Sequence, residues 1–154
     1  MRTVVIGSGS WGTALAQVLQ DNHQEVLVYG VAEAEVNDIN ENHKNSKYFG
    51  DVELNPELKA TTDIQCVKGA DIVLLAVPTI AIDPICHQIN DILDKKTIII
   101  NVSKGFHPET NERMSEVIRR CIDEDKLSSV VSLIGPSHAE EVVIRLLTTI
   151  CLLY

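Results

Sequence analysis

Three glycines at close spacing follow directly after the short apolar run Thr3–Ile6. Gly7, Gly9 and Gly12 form the pattern Gly-x-Gly-x-x-Gly, and a helix-like segment begins within it. Between a buried strand and a helix, this pattern is typical of a turn that holds a diphosphate, since the first glycine makes the turn, the second admits the phosphates and the third lets helix and strand pack closely. The helix N-terminus adds free N–H groups and a partial positive charge. The sequence therefore predicts a dinucleotide site within its first 35 residues.

The end of the second apolar run, Val26–Tyr29, is where such a site would contact the adenosine ribose. An Asp or Glu at this point favours NAD, and an Arg favours NADP. The residues that follow are Gly30, Val31, Ala32 and Glu33, so that no Arg is present and Glu33 falls one or two positions late. We interpret Glu33 as an ordinary residue of the first helical turn, and the choice between the two cofactors stays open.

The composition limits the partners that this chain can bind. Its 154 residues contain 13 Lys and Arg against 22 Asp and Glu, a formal charge of −9. The average field repels polyanions and argues against nucleic acid as a partner, so an anionic ligand must be held by local amides or single cations. No apolar run reaches 18 residues and no signal-peptide pattern begins the chain, so we expect no membrane span and a cytoplasmic protein.

The four cysteines, Cys66, Cys86, Cys121 and Cys151, have no metal-ligand spacing with one another or with a nearby histidine. Free cysteine is commonly a small core residue. We interpret all four as buried free thiols in a reducing compartment, and the sequence predicts no metal site.

Apolar runs alternate with helix-like segments from one end of the chain to the other. The runs Asp71–Val77, Thr97–Val102 and Val130–Ile134 are continuous and rich in β-branched residues, which indicates strands buried on both faces. Ile80–Leu93 and Asn111–Ile122 are long enough for crossover helices. Residues 1–154 are therefore predicted to form one α/β domain, a Rossmann-type doubly wound, mainly parallel sheet with helices on both faces.

Two segments do not follow this alternation. Asn37–Thr62, rich in Asn and Lys, is interpreted as a helix tail followed by a long loop that could close over a ligand. Leu146–Tyr154 is apolar and strand-like, and we interpret it as the start of a connection to a part of the protein outside this chain.

Several segments beyond the glycines share a second pattern, in matching order and at matching spacing. They are Trp11–Ala14, Asn45–Asp63, Ala76–Thr79, Ser103–Gly105 and Gly135–Val142. Together they resemble the NAD(P)-dependent glycerol-3-phosphate dehydrogenases. By the resemblance, the loop before that family's third strand corresponds to Asn45–Asp63.

The resemblance implies roles for individual residues. The cofactor contacts that it implies are Gly7, Gly9, Ser10, Trp11, Gly12, Val31, Tyr48, Pro78, Lys104 and Ala139. The substrate contacts are Lys104, Gly135 and Ser137. A lysine at the end of a buried strand can give charge-assisted hydrogen bonds to a substrate hydroxyl or phosphate. Val31 stands where the family often has Arg or His, which favours NAD without deciding the choice, and His138 is interpreted as a packing or loop residue.

The resemblance also implies an activity. The full enzyme reduces dihydroxyacetone phosphate to sn-glycerol 3-phosphate with NADH or NADPH, a step that feeds glycerophospholipid synthesis. In the family, a helical second domain carries the general acid–base lysine and phosphate-binding groups, and it could join two copies as a homodimer. We expect this chain to be the dinucleotide-binding half, truncated before that helical domain, with no catalytic residue and no evident second cation to clamp a substrate phosphate.

Two alternatives remain at this point. A ketopantoate or β-hydroxyacid reductase would share the glycines, although not Ser103–Gly105 together with Gly135–Ser137. A non-catalytic dinucleotide-binding module would need no second domain.

Overall fold

The computed structural model describes all residues 1–154 and contains one seven-stranded sheet. The strands are β1 Arg2–Ile6, β2 Glu25–Tyr29, β3 Lys59–Thr61, β4 Ile72–Leu75, β5 Thr97–Asn101, β6 Leu127–Ile134 and β7 Cys151–Leu153. The helices are α1 Ser10–Asp21, α2 Glu33–Asn37, α3 Ser46–Phe49, α4 Ile82–Ile92, α5 Met114–Cys121 and α6 Ala139–Val143. No helix is both long and apolar enough to cross a bilayer.

The strands lie in the order β3-β2-β1-β4-β5-β6-β7, and every neighbouring pair is parallel except β6 and β7. The chain therefore builds outward from β1 in one direction to β3 and then returns to start again at β4 on the other side. This reversal confirms the predicted doubly wound sheet. In such sheets the crevice at the carboxyl ends of the two central strands is where ligands bind, here the ends of β1 and β4.

Alternate residues of the strands are buried in two separate cores, as expected when both faces of a sheet are covered. Val5 belongs to a cluster of 18 buried residues that includes Ala14 of α1 and Val142 of α6. Val4 belongs to a second cluster, of 17 residues, that includes Ile89 of α4 and Ile118 of α5. The two cores hold the central strands rigidly, so their carboxyl ends form a fixed platform.

The segment between β2 and β4 is more ordered than predicted. After α2 it makes a π-type turn at Asp38–Asn42 and the short helix α3, and the third strand, β3, lies inside the stretch that we had assigned to a loop. β3 has three residues, too few for a visible apolar run. Asn40 ties the π-turn to it, because its side chain both donates to the Ala60 carbonyl and accepts from the Ala60 amide.

Several other boundaries differ from the prediction. The helix predicted at Asn111–Ile122 begins only at Met114, because Arg113 caps it and pairs with Glu116. Ile80–Leu93 starts with a 3-10 turn before α4. Of the strand-like Leu146–Tyr154, only β7 is a strand, and it is antiparallel to β6.

Candidate functional site

The turn between β1 and α1 is held by two of its glycines for reasons internal to the protein. Gly7 has a positive φ of 116°, and its amide donates to the Tyr29 carbonyl at 2.8 Å. A Cβ at Gly12 would overlap the Gly7 carbonyl oxygen and crowd the side chain of Ala76. Only glycine allows this turn and this close approach of α1 to β1 and β4.

Gly9 differs from both. It has the extended φ and ψ of −69° and −177°, which any residue can adopt, and a Cβ built there would meet no atom within 4 Å. Gly9 caps α1 with no side-chain hydrogen bond, so the cap leaves the first amides of this helix without a side-chain acceptor. Neither the backbone angles nor contacts within the chain require a glycine here. The position offers room for a ligand that approaches the backbone and the helix N-terminus.

A cavity of about 280 Å³ lies beside this turn, at the carboxyl ends of the strands. Its lining includes five predicted site residues, Ser10, Trp11, Lys104, Ser137 and Ala139. Ser103, the neighbour of Lys104, lines it as well. The exposed His138 also lines it, at the N-cap of α6. The fold thus brings together residues from the start of α1, the end of β5 and the start of α6.

Lys104 is placed by a set of short contacts after β5. The Asn101 side chain donates to the Ser103 carbonyl and accepts from the Ser103 amide. The Ser103 hydroxyl donates to the Val77 carbonyl at 2.5 Å, and this bond joins the ends of β4 and β5. Gly105 then turns the chain with a φ of 102°. Lys104 is exposed and forms no ion pair, so its ammonium is free for an anionic or polar ligand.

Gly135 and Ser137 lie on the other wall, after β6. With Trp11 and Lys104 they line a smaller cavity of about 190 Å³. A Cβ at Gly135 would lie 2.6 Å from the Thr149 carbonyl oxygen, so the glycine is needed where the chain packs on its own later segment. Ser137 is buried and lines both cavities.

Apart from the three glycines of the turn, three predicted cofactor residues lie outside these cavities. Pro78 is exposed at the start of a 3-10 turn, and its neighbours Ala76 and Val77 line the main cavity instead. Val31 is 84% exposed and Tyr48 is 38% exposed, both on the β2 side of the glycine turn. Both therefore lie away from the cavity that contains Lys104.

A second cation lines a cavity together with Lys104, and whether it clamps a substrate phosphate stays a prediction to be tested. A larger cavity, of about 690 Å³, is lined by Lys104, Arg113 and Arg119. Arg113 is paired with Glu116 at 2.8 Å, whereas Arg119 forms no ion pair. Lys104 and Arg119 therefore make a local positive surface on a chain whose net charge is −9.

Sequence analysis missed the acidic group nearest to the glycine turn. Glu35, in the first turn of α2, is 9% exposed, and its carboxylate accepts hydrogen bonds from the Ser8 hydroxyl at 2.5 Å and from Lys47 Nζ at 2.6 Å. Burial alone raises the pKa of Glu35, but the bonds from Lys47 and Ser8 outweigh it and hold the pKa below its ordinary value. A cavity of about 480 Å³ opens beside Glu35 and Lys47.

A cluster with metal-ligand chemistry was also missed. Asp83 and His87, four residues apart on α4, meet Cys121 from the end of α5, and their ligand atoms lie within 4.8 Å of one another. However, the guanidinium of Arg120 donates to Asp83 at 2.8 Å and lies 3.8 Å from the Cys121 sulfur. Because Arg120 already supplies the positive charge, we assign no metal to this cluster.

Comparison with known proteins identifies relatives along the whole chain. A family model described as the N-terminus of NAD-dependent glycerol-3-phosphate dehydrogenase matches residues 2–154. Glycerol-3-phosphate dehydrogenase [NAD(P)+] of Listeria monocytogenes is 48% identical over 151 residues, which cover 97% of this chain and 45% of the relative. The enzyme of the same name from Macrococcus caseolyticus is 46% identical, with 97% and 46% covered.

A solved structure agrees with these matches. The crystal structure of glycerol-3-phosphate dehydrogenase from Coxiella burnetii superposes with a TM-score of 0.86 at 27% identity, over 98% of this chain and 46% of that one. The chain thus spans slightly less than half the length of the relatives that it matches.

Proposed function

Because the chain belongs to the NAD-dependent glycerol-3-phosphate dehydrogenase family, through that family's N-terminal region, we propose that it holds NAD(H) or NADP(H) for the interconversion of dihydroxyacetone phosphate and sn-glycerol 3-phosphate. Family membership favours this reaction over that of a ketopantoate or β-hydroxyacid reductase, which the glycine motif left open. The non-catalytic binding module remains the competing function for residues 1–154, and turnover distinguishes the two.

The residues present fit a dinucleotide. The diphosphate would lie on the open side of Gly9, where the first amides of α1 donate hydrogen bonds and the helix dipole adds a partial positive charge. The nicotinamide would extend towards the cavity beside Trp11 and Ala76, and the adenosine towards the end of β2. When bound, the nicotinamide supplies or accepts the hydride, and the protein positions the cofactor and the substrate and polarises the reacting group.

Lys104 is proposed to hold the substrate. It lines both the cavity beside Trp11 and the cavity that contains Arg119, and it has no carboxylate partner of its own. An ammonium in this position can bond a substrate oxygen or phosphate with charge assistance, and Ser137 on the opposite wall offers a hydroxyl. In this proposal these residues bind and orient the substrate, and none of them transfers a proton.

The open face of Gly9 is the observation that carries the proposal. Gly7 and Gly12 are explained by the turn and by packing, so they would be expected with or without a ligand. Gly9 has neither a strained backbone nor a close neighbour. Its lack of a side chain is explained by a ligand that must reach the backbone at that point.

The test is a titration of residues 1–154 with NADH, followed by the change in nicotinamide fluorescence. The wild-type chain is expected to bind, and Gly9→Val is expected to stay folded, at the cost of about 1 kcal/mol for a poorer helix N-cap, while losing binding. Gly12→Val is the matched contrast, since its side chain would strike the Gly7 carbonyl and is expected to destabilise the fold itself. A folded Gly9→Val variant with unchanged NADH affinity would contradict the site.

A further inference from the structure

The end of β2 lacks an acid in the sequence, yet the structure has a carboxylate there. Gly30 follows β2 directly, and a Cβ at this position would strike the side chain of Ser8, the residue between the first two glycines. Ser8 therefore lies against the tip of β2. Its hydroxyl donates to Glu35 at 2.5 Å, so the Glu35 carboxylate reaches the strand tip from helix α2 rather than from the strand.

Glu35 has a specific cationic partner at this place. Lys47 Nζ lies 2.6 Å from the Glu35 carboxylate and 5.1 Å from the centre of the Tyr48 ring. The side chain of Glu35 is 10% exposed, whereas that of Lys47 is 63% exposed. Lys47 can therefore turn towards solvent or another anion at little steric cost, but Glu35 cannot leave the protein interior.

The two cofactors differ at the group that would meet this pair. NAD presents a ribose 2′-hydroxyl near the tip of β2, and NADP presents a 2′-phosphate with about two negative charges. A hydroxyl can donate to a carboxylate and leaves the pair intact. A 2′-phosphate must instead pair with Lys47. The nearly buried Glu35 carboxylate then loses its cation and lies beside a second anion, the phosphate itself.

Resting on the proposed function, we propose that the Glu35–Lys47 pair selects NAD over NADP, with Glu35 as the group that excludes the 2′-phosphate. Glu33 is closer along the chain to the end of β2, where the dinucleotide-binding pattern expects an acid. It is exposed and its side chain has no hydrogen-bond partner. Lys44, the other lysine of this segment, is engaged with Asp51 at 3.0 Å. Lys47 is therefore the cation that a 2′-phosphate would have to recruit.

The experiment measures the dissociation constants of NADH and NADPH for residues 1–154 at one ionic strength. The wild-type chain is expected to bind NADH at least tenfold more tightly than NADPH. Glu35→Gln keeps the shape of the side chain and its bond with Ser8, and it is expected to shift this ratio at least tenfold towards NADPH. Lys47→Gln leaves Glu35 without its cation in the free chain as well, so it is expected to lower the thermal midpoint and to weaken NADPH binding several-fold more than NADH binding.

Glu33→Gln and Lys44→Gln are the matched controls, because each removes the same charge from the same segment without touching the pair. Both are expected to leave the ratio within twofold of the wild-type value. If both cofactors bind but Glu35→Gln and Lys47→Gln leave the ratio unchanged, or if Glu33→Gln shifts it equally, the selection by this pair is wrong and the proposed function stands. If the wild-type chain binds neither cofactor, the proposed function itself is wrong.

Discussion

At the scale of single residues, Gly7, Gly9 and Gly12 show that one residue type can be required for three different reasons. Gly7 is set by its backbone angle and Gly12 by contact with the Gly7 carbonyl, whereas a Cβ at Gly9 would meet no atom within 4 Å. A sequence pattern treats the three as equal. Their different environments separate the residues that make the turn from the one that leaves room for a ligand.

The cysteines also differ from one another. Cys86 and Cys121 are buried, as predicted, but Cys66 is half-buried and Cys151 is exposed on β7. The prediction of four buried thiols was wrong for Cys151 because the last strand lies at the edge of the sheet with both faces open. Burial raises the pKa of Cys66 and Cys121 to about 11 and that of Cys86 to about 12.

We therefore expect one fast-reacting thiol in the folded chain. The thiolate is the reactive form, and at pH 8 the three raised pKa values leave almost none of it at Cys66, Cys86 and Cys121. An aromatic disulfide reagent should titrate one thiol rapidly in buffer and four in denaturant, and Cys151→Ser should remove the rapid phase. Rapid reaction of two or more thiols in the native chain would show that the inner cysteines are accessible.

Residues near the site were predictable to different degrees. Lys104 could be found because it comes two residues after the continuous apolar run Thr97–Val102, which contains β5. Glu35 could not, since its carboxylate reaches the tip of β2 through the geometry of α2 and the contact with Ser8 rather than through its position in the sequence. A more useful signal would have been the absence of any acid at the end of β2. When the strand end has no acid, the first turn of the following helix, α2, is the next place to look for one.

At the scale of elements, the connection between β2 and β3 acts as part of the glycine turn. Asn45, just before α3, is fully buried and donates to the Ser8 carbonyl at 2.8 Å and to the Thr13 hydroxyl at 2.9 Å. This one side chain fastens the connection to both the turn and α1. The same connection carries Lys47, which contacts Glu35, and Tyr48, so the position of these two residues depends on Asn45.

We expect Asn45→Ala to lower the free energy of unfolding by about 1–3 kcal/mol, because it leaves the buried Ser8 carbonyl and Thr13 hydroxyl each short of one hydrogen bond. The measurement is urea denaturation followed by circular dichroism. Asn42→Ala is the control: Asn42 is exposed and bonds only Asp38, so a loss below about 0.5 kcal/mol is expected. Equal losses in the two variants would argue against the role of Asn45 as an anchor.

The elements themselves were predictable where the chain has long apolar periodicity. β1, β2, β4, β5 and β6 all coincide with predicted runs, whereas β3, with only three residues and a lysine at its start, does not stand out from its surroundings. β3 exists because it pairs with β2 and because Asn40 bonds Ala60 on both sides. Such pairing is a tertiary effect that no local pattern carries.

At the scale of the whole molecule, the carboxyl edge of the sheet carries a local positive charge although the net charge of the chain is negative. The chain carries a formal charge of −9, yet Lys104 and Arg119 share one cavity there without ion-pair partners. Two free cations can attract and hold one end of an anionic substrate. Both cations are proposed to bind and orient the substrate, and neither is proposed to donate a proton to a carbonyl oxygen.

We therefore expect residues 1–154 to bind NADH without oxidising it when dihydroxyacetone phosphate is added, because hydride transfer also needs a positioned acid, which contributes about 10²- to 10⁴-fold.

A chimera that joins this chain to the remaining part of the Listeria monocytogenes relative is expected to turn over. In that chimera, Lys104→Ala should lower kcat/KM about 10- to 100-fold, the loss of one charged hydrogen bond, with NADH affinity nearly unchanged. Lys96→Ala, at an exposed position away from the cavities, is the control and should have no effect. NADH oxidation by residues 1–154 in proportion to their concentration would show that they carry the acid themselves, and full activity of the Lys104→Ala chimera would remove Lys104 from the substrate site.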